Sequence, residues 1–199
     1  MAELTNLQNK VFEIVNPVEI DAAVEKMRQA FSNLSWLSHP YHIAQRFYKE
    51  TEKGAFYYPE TYISKADGDI KKEPYHRLTP DSDYTGMIFF MVGKSTPGSK
   101  GNDFTNYPVS IIGSANLKKI DPVKLKKYLF TQELIKSIKD IIYNNEESVW
   151  DFSVEIISET RDLRETYREF VLDKIESYNR APLQCFRIDL LVTLQKECS

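Results

Sequence analysis

The sequence predicts an α+β fold, an antiparallel sheet of about four strands with helices packed on one face. Three patterns carry this reading. Near the front, Ile20, Ala23, Val24, Met27, Ala30, Phe31 and Leu34 recur at three- and four-residue steps. In the middle, Met87 to Val92 is an unbroken apolar run between turn residues. At the end, Phe186, Ile188, Leu190, Val192 and Leu194 alternate with Arg187, Asp189, Leu191 and Thr193. The order is helices, then strands with a helix between them, then strands, which lacks the regular alternation of a doubly wound sheet.

Each element has a local reason. Asn16-Pro17-Val18-Glu19 combines a capping side chain, a proline suited to the first helical position and a carboxylate that can reach back, so the first helix starts there. After Trp36, the series Ile43, Ala44, Phe47 predicts a second, shorter helix ending near Gly54, and the two form a helical hairpin over about 17–53. Phe56 to Asp83 is rich in aromatic residues and broken by Pro59, Gly68, Pro74 and Pro80, which reads as extended connectors. Thr85 to Val92 is a strand buried on both faces. Lys94 to Asn106, with Gly98 and Gly101 and little apolar content, is an exposed loop that orders on a partner. A strand follows from Val109 to Leu117. Asp121-Pro122 opens a third helix through Leu125, Leu129, Leu134, Ile138, Ile141 and Ile142 to Tyr143, with a break at Thr131 and a close at Asn144-Asn145. Trp150, Phe152, Val154 and Ile156 mark a half-buried strand, Leu163, Tyr167, Phe170 and Val171 a fourth helix, and Phe186 to Leu194 the last strand. The whole, 1–199, is a single domain whose mixed strand and helix body spans 84–199.

Composition limits the function classes. The chain has 199 residues, 42% apolar and 28% charged, which fits a folded domain rather than a disordered or fibrous one. Its 26 Lys and Arg against 29 Asp and Glu leave a charge of −3, without the basic excess of a dedicated nucleic-acid binder. Met1 to Asn6 shows no leader pattern, and no apolar run approaches the ~20 residues of a membrane span, so a soluble protein made in the cytosol is expected. Cys185 and Cys198 have no framework spacing and read as reduced thiols.

No catalytic motif emerges. Gly93-Lys94-Ser95 has the end of a phosphate-binding loop, but the glycine needed at position 88 is Ile88. His39 and His42 lack two further zinc ligands and read as uncoordinated. Glu159, Asp162, Glu165 and Glu169 interleave with Arg161, Arg164 and Arg168, a pattern of a solvated, salt-bridged face. The tyrosine-rich stretch is mainly packing, with a remaining role as a partner surface. A base-stacking role is opposed by Glu60, Asp67, Asp69 and Glu73, which cancel Lys65, Lys71 and Lys72.

Four stretches, Leu34-Ser35-Trp36-Leu37, Tyr57-Tyr58-Pro59-Glu60-x-Tyr62, Tyr75-x-x-Leu78-x-Pro80-Asp81 and Phe89-Phe90, together resemble the neck and tail ring proteins, or tail stabilisation proteins, of crAss-like bacteriophages. The ending Cys185-x-Arg187-Ile188-Asp189-Leu190 is similar in architecture to tail-terminator and tail-completion subunits. The resemblance implies a structural virion protein, assembled in the host cytoplasm, that forms a homo-oligomeric ring between portal and tail tube. It implies no catalysis, metal or cofactor. The partners are then further copies of the chain and neighbouring portal, neck or tail proteins, with no sequence-specific nucleic acid and no membrane. Candidate subunit contacts are Lys94, Phe104, Tyr107, Tyr58, Tyr62, Arg161 and Arg164. The competing expectation is a small cytosolic enzyme or ligand-binding domain with its site among Tyr57, Tyr58, Tyr62, His76 and Asp81.

Overall fold

The computed structural model describes residues 18–62, 75–98, 103–124, 129–146, 150–173, 175–178 and 180–195. The first helix, α1, is Val18–Phe31, and its apolar stripe is the one the periodicity marks. The chain then turns through Trp36 into strands β1, His39–Ile43, and β2, Gln45–Thr51. This corrects the expected helical hairpin. Over so short a run the Ile43, Ala44, Phe47 spacing fits a strand as well as a helix, and pairing partners far along the chain decide.

Two of those partners lie in the supposed connector. β3, Gly54–Tyr62, pairs antiparallel with β2 from Gln45↔Glu60 to Thr51↔Gly54, and β4, Tyr75–Arg77, pairs with β3. Gly54 closes the β2–β3 turn with φ +119°, a left-handed conformation that an L side chain rarely adopts. The expected breakers Gly68 and Pro74 lie outside the described residues.

The main sheet has six strands, not about four. It comprises β1, β5 (Gly86–Val92), β6 (Thr96–Pro97), β7 (Phe104–Asn116), β8 (Ser153–Thr160) and β9 (Leu183–Gln195), in the order β1-β5-β7-β9-β8 with β6 beside β7. It is also mixed, because β1 runs parallel to β5. The long central pair, β7 and β9, stays in register from Phe104↔Gln195 to Asn116↔Leu183. Lys94 to Pro97 of the expected loop are exposed, as expected of a hairpin arm, but the arm is already paired to the sheet at its base: Thr96 pairs Asn106, Pro97 pairs Thr105, and the Gly98 N–H donates to the Phe104 carbonyl at 2.9 Å. Backbone pairing with β7 supplies what the polar side chains could not. Gly101 lies outside the described residues.

The third helix does not open at Asp121-Pro122, where Asp121 instead caps the end of a preceding turn, and Thr131, the expected break, lies inside the helix. A single turn, α2 (Leu117–Ile120), is capped by the Asn116 side chain, and α3 runs Phe130–Glu146. Leu125 lies outside the described residues, and the helix continues one residue past Asn145. The fourth helix shrinks to one turn, α4, Leu163–Thr166, started by the Asp162 carboxylate accepting from the Arg164 and Glu165 N–H groups. Tyr167, Phe170 and Leu172 then lie down on the sheet as irregular chain.

Strand residues alternate between faces, and so the sheet separates two cores. On one face Ile20, Val24, Met27 and Phe31 of α1 and Leu134, Ile138 and Ile142 of α3 meet Phe90, Ile111, Phe186 and Ile188. Both long helices therefore pack on one face, as expected. On the other, Met87, Phe89, Ile112 and Cys185 meet Tyr58, Leu78, Tyr167 and Phe170. Trp36 closes the first core: its indole N–H donates to Ser137 Oγ at 3.0 Å, its ring meets Phe186 edge-on at 6.2 Å, and it leaves no room for a side chain on Gly86. Among the described residues no helix is long and apolar enough to cross a membrane.

Candidate functional site

Two clusters concentrate the polar chemistry of the described residues. The first lies where the β2–β3–β4 sheet meets the β1 edge of the main sheet. All three histidines of the chain line one cavity of about 530 Å³ there, with Glu25, Arg28, Tyr41, Thr61 and Tyr84. Four rings close a cycle. His39 lies 4.1 Å from Tyr84 and 5.8 Å from Tyr41, and His76 lies 5.3 Å from Tyr41 and 6.2 Å from Tyr84, centroid to centroid. Tyr84 Oη sits 3.3 Å from His76 Nε2.

Burial holds both imidazoles toward the neutral form. It pushes His39 below the ordinary histidine value, and on His76 burial acts with the nearby His39 against the opposing charge of Asp81. Burial, helped by Tyr84, raises the Tyr41 phenol well above its usual value. At the mouth, Arg28 grips Glu25 through two nitrogens at 2.6 and 2.7 Å, which keeps that carboxyl below its ordinary value. His39, His76 and Tyr41 thus face the cavity as neutral rings at pH 7, beside the Glu25–Arg28 ion pair. Chemically the cavity suits an uncharged or ring-bearing group better than a free anion.

The second cluster sits farther along the sheet, on the face that carries Met87, Phe89, Ile112 and Cys185. Arg187 is 1% exposed and fills all five of its N–H donors. Its Nε reaches Asp189 Oδ1 at 2.7 Å, and its two terminal nitrogens reach both Glu169 oxygens at 2.6 Å, Ser110 Oγ at 2.7 Å and the Thr166 carbonyl at 3.3 Å. Asp189 also accepts from Ser110, Ser158 and Arg168. Burial acts to raise both carboxyls, but the Arg187 hydrogen bonds and charge outweigh it and hold Glu169 and Asp189 below their ordinary values. Two guanidinium and two carboxylate groups close on themselves, tying the α4 excursion to β7, β8 and β9.

The expected solvated Glu–Arg face is therefore only partly present. Glu169 belongs to this buried pair, and Glu159 pairs with Lys139 across from α3 at 2.9 Å. Beside the cluster is an open groove of about 460 Å³, whose apolar walls are Met91, Pro108, Ile157 and Leu191. Ile157, at a register shift of β8, is 56% exposed.

The candidate contacts expected from the sequence scatter, because strand pairing and coverage, not residue type, set their places. Tyr58 and Tyr107 are each 3% exposed and belong to the two cores, so they are not surface anchors. Lys94 and Arg164 are exposed, and Phe104 and Arg161 are half-buried. Tyr62 ends β3 opposite Tyr75, and its side chain lies outside the described residues, as does Cys198. Among the described side chains of the tyrosine-rich site, only His76 lines the histidine cavity, with Asp81 acting on it electrostatically, while Tyr57 lies on the β2–β3 hairpin beneath Arg46. Sequence reasoning did not anticipate Arg187 or the joining of His76 to His39. The one available signal was a charged pair, Arg187 and Asp189, on the polar side of an alternating strand.

Compared with known proteins, the chain matches no family model and no curated relative.

Proposed function

We propose that the protein is a non-catalytic structural subunit that assembles into a homo-oligomeric ring of a phage neck or tail, between portal and tail tube. The observation that carries this reading is the half-covered second face of the main sheet. Tyr58, Leu78, Tyr167 and Phe170 cover one end of it, while Met91, Pro108, Leu191 and the exposed Ile157 line an open groove at the other. Apolar surface left open beside a saturated ionic cluster is what a subunit interface requires. The motif resemblance and the modest net charge of −3, compatible with a channel that does not grip DNA, support the same reading. The test is electron microscopy and mass measurement of the purified full-length chain, with a search for it in purified particles. Closed rings and presence in virions are expected. A 23.2 kDa monomer at every concentration, absent from particles, overturns it.

The histidine cavity favours a second reading, a ligand-binding domain, since its volume is in the range of small-molecule sites. A saturable ligand whose binding is lost in Tyr84→Ala, in a protein that stays monomeric, would favour it over the ring.

A further inference from the structure

The two flanks of the subunit carry unlike edges. β8 ends the main sheet on one side. On the other, the chain passes from β1 through Ala44 directly into β2, which is the outer strand of the second sheet. β1 and β8 themselves are four strand spacings apart, about 19 Å at ordinary sheet geometry. Both outer strands are mostly exposed: residues 48–55 around the β2–β3 turn are exposed throughout, as are Glu155, Ile157, Ser158 and Glu159 of β8. Each presents a row of backbone groups with no strand beside it among the described residues, the usual template for another chain.

Their charges differ in sign. β2, Gln45-Arg46-Phe47-Tyr48-Lys49-Glu50-Thr51, carries two cations and one carboxylate. β8, Ser153-Val154-Glu155-Ile156-Ile157-Ser158-Glu159-Thr160, carries two carboxylates and no cation. Glu159 is already paired with Lys139, which leaves Glu155 as the open charge of that edge, and neither Arg46 nor Lys49 has a carboxylate partner among the described residues. Each edge also carries an exposed apolar side chain, Tyr48 at 37% and Ile157 at 56%.

We propose that β2 of one copy adds as a strand to the β8 edge of the next copy, so that the subunits close head to tail. This contact rests on the ring reading above and specifies how such a ring would be built. Like-with-like pairing is disfavoured on both sides: β8 against β8 gathers carboxylates, and β2 against β2 gathers cations, since charges of one sign facing across a strand pair are destabilising. Only the mixed pairing joins opposite signs, and a contact between two different patches propagates around an axis and closes if the rotation permits. The β8 register shift between Ile156 and Ser158 interrupts the regular edge there, which limits indiscriminate pairing.

Full-length Arg46→Glu, Glu155→Arg and the double variant, compared with wild type by mass photometry across a concentration series, test the contact. Both sites are exposed and Arg46 gives up only its stacking on the Tyr57 ring, so circular dichroism should match wild type and thermal unfolding should lie close to it. Each single variant is expected to need about tenfold higher concentration to assemble, and the double variant to recover wild-type assembly. Rings that form equally well in all variants, or singles that fail without rescue by the double, overturn the edge contact while leaving the ring reading intact. A wild-type chain that never assembles overturns both.

Discussion

Replacing Arg187 by Met removes the centre of the buried ionic cluster while keeping an unbranched apolar stem of similar reach. The side chain is 2% exposed, so nothing but its protein partners satisfies it, and in turn it supplies two of the hydrogen bonds to Glu169 and one to Asp189. Removing one partner of a buried ion pair costs roughly 3–5 kcal/mol. The lower end applies here, because the Glu169 side chain is 31% exposed and can take up water, and because Asp189 keeps Arg168, Ser110 and Ser158. A loss of about 3 kcal/mol corresponds to roughly 6–12 °C in Tm for a chain of this size. The pH dependence gives a second signature. In wild type, Glu169 and Asp189 have folded values below their ordinary 4.5 and 3.8, so their contribution is complete above those values and drains away as pH falls through the lowered ones. Without Arg187, Glu169 keeps only its backbone hydrogen bond and Arg168 against burial, so its folded value moves up, and acidification through the ordinary carboxylate range costs the variant less than wild type. Urea unfolding at pH 7 and near pH 4 should show the gap between the two proteins shrinking with acid. A variant within about 1 kcal/mol of wild type at pH 7, with a parallel pH profile, would refute the reasoning that this cluster clamps the α4 excursion to the sheet.

Three further outcomes follow from the geometry. His39 and His76 titrate below 6.5 in the folded chain, so the unfolded chain takes up protons first and stability falls as pH drops below 6.5; the fall should flatten in His76→Gln, as read by thermal unfolding from pH 8 to pH 5. A Cβ at position 113 would run into Phe186 Cζ, on a ring held against Trp36, so Gly113→Ala should lose roughly 1–3 kcal/mol in chemical denaturation, and an unchanged midpoint would mean that the ring can swing aside. The buried Tyr167 hydroxyl makes no hydrogen bond of good geometry beside the Cys185 thiol, itself pushed by burial to about 12, so Tyr167→Phe should be neutral or stabilising by about 1 kcal/mol, whereas a clear loss would show that the hydroxyl is held after all.

Long periodic runs were legible without any structure. The α1 stripe from Ile20 to Phe31, the run from Met87 to Val92, buried on both faces as far as Phe90, and the alternation from Phe186 to Leu194 each encode their element locally, since one face or both must be hidden over many residues. Local pattern loses that power where runs are short. Tyr41, Ile43 and Phe47 are strand residues because β5 and β3 lie beside them, and those partners arrive from distant parts of the chain. The same limit applies to chemistry. Alternation placed Arg187 and Asp189 on the polar side of the last strand, as for a solvent-facing side, yet the irregular chain after α4 folds across that side and turns them into a buried, fully bonded cluster. His76 joins His39 and His42 only because β4 pairs with β3 beside the β1 edge. Residue periodicity decides which side chains must be hidden from water or left in it along one element; which strand edges meet, and which polar face is covered, is decided by contacts whose free energy is shared between segments far apart in sequence, and only the assembled fold contains them.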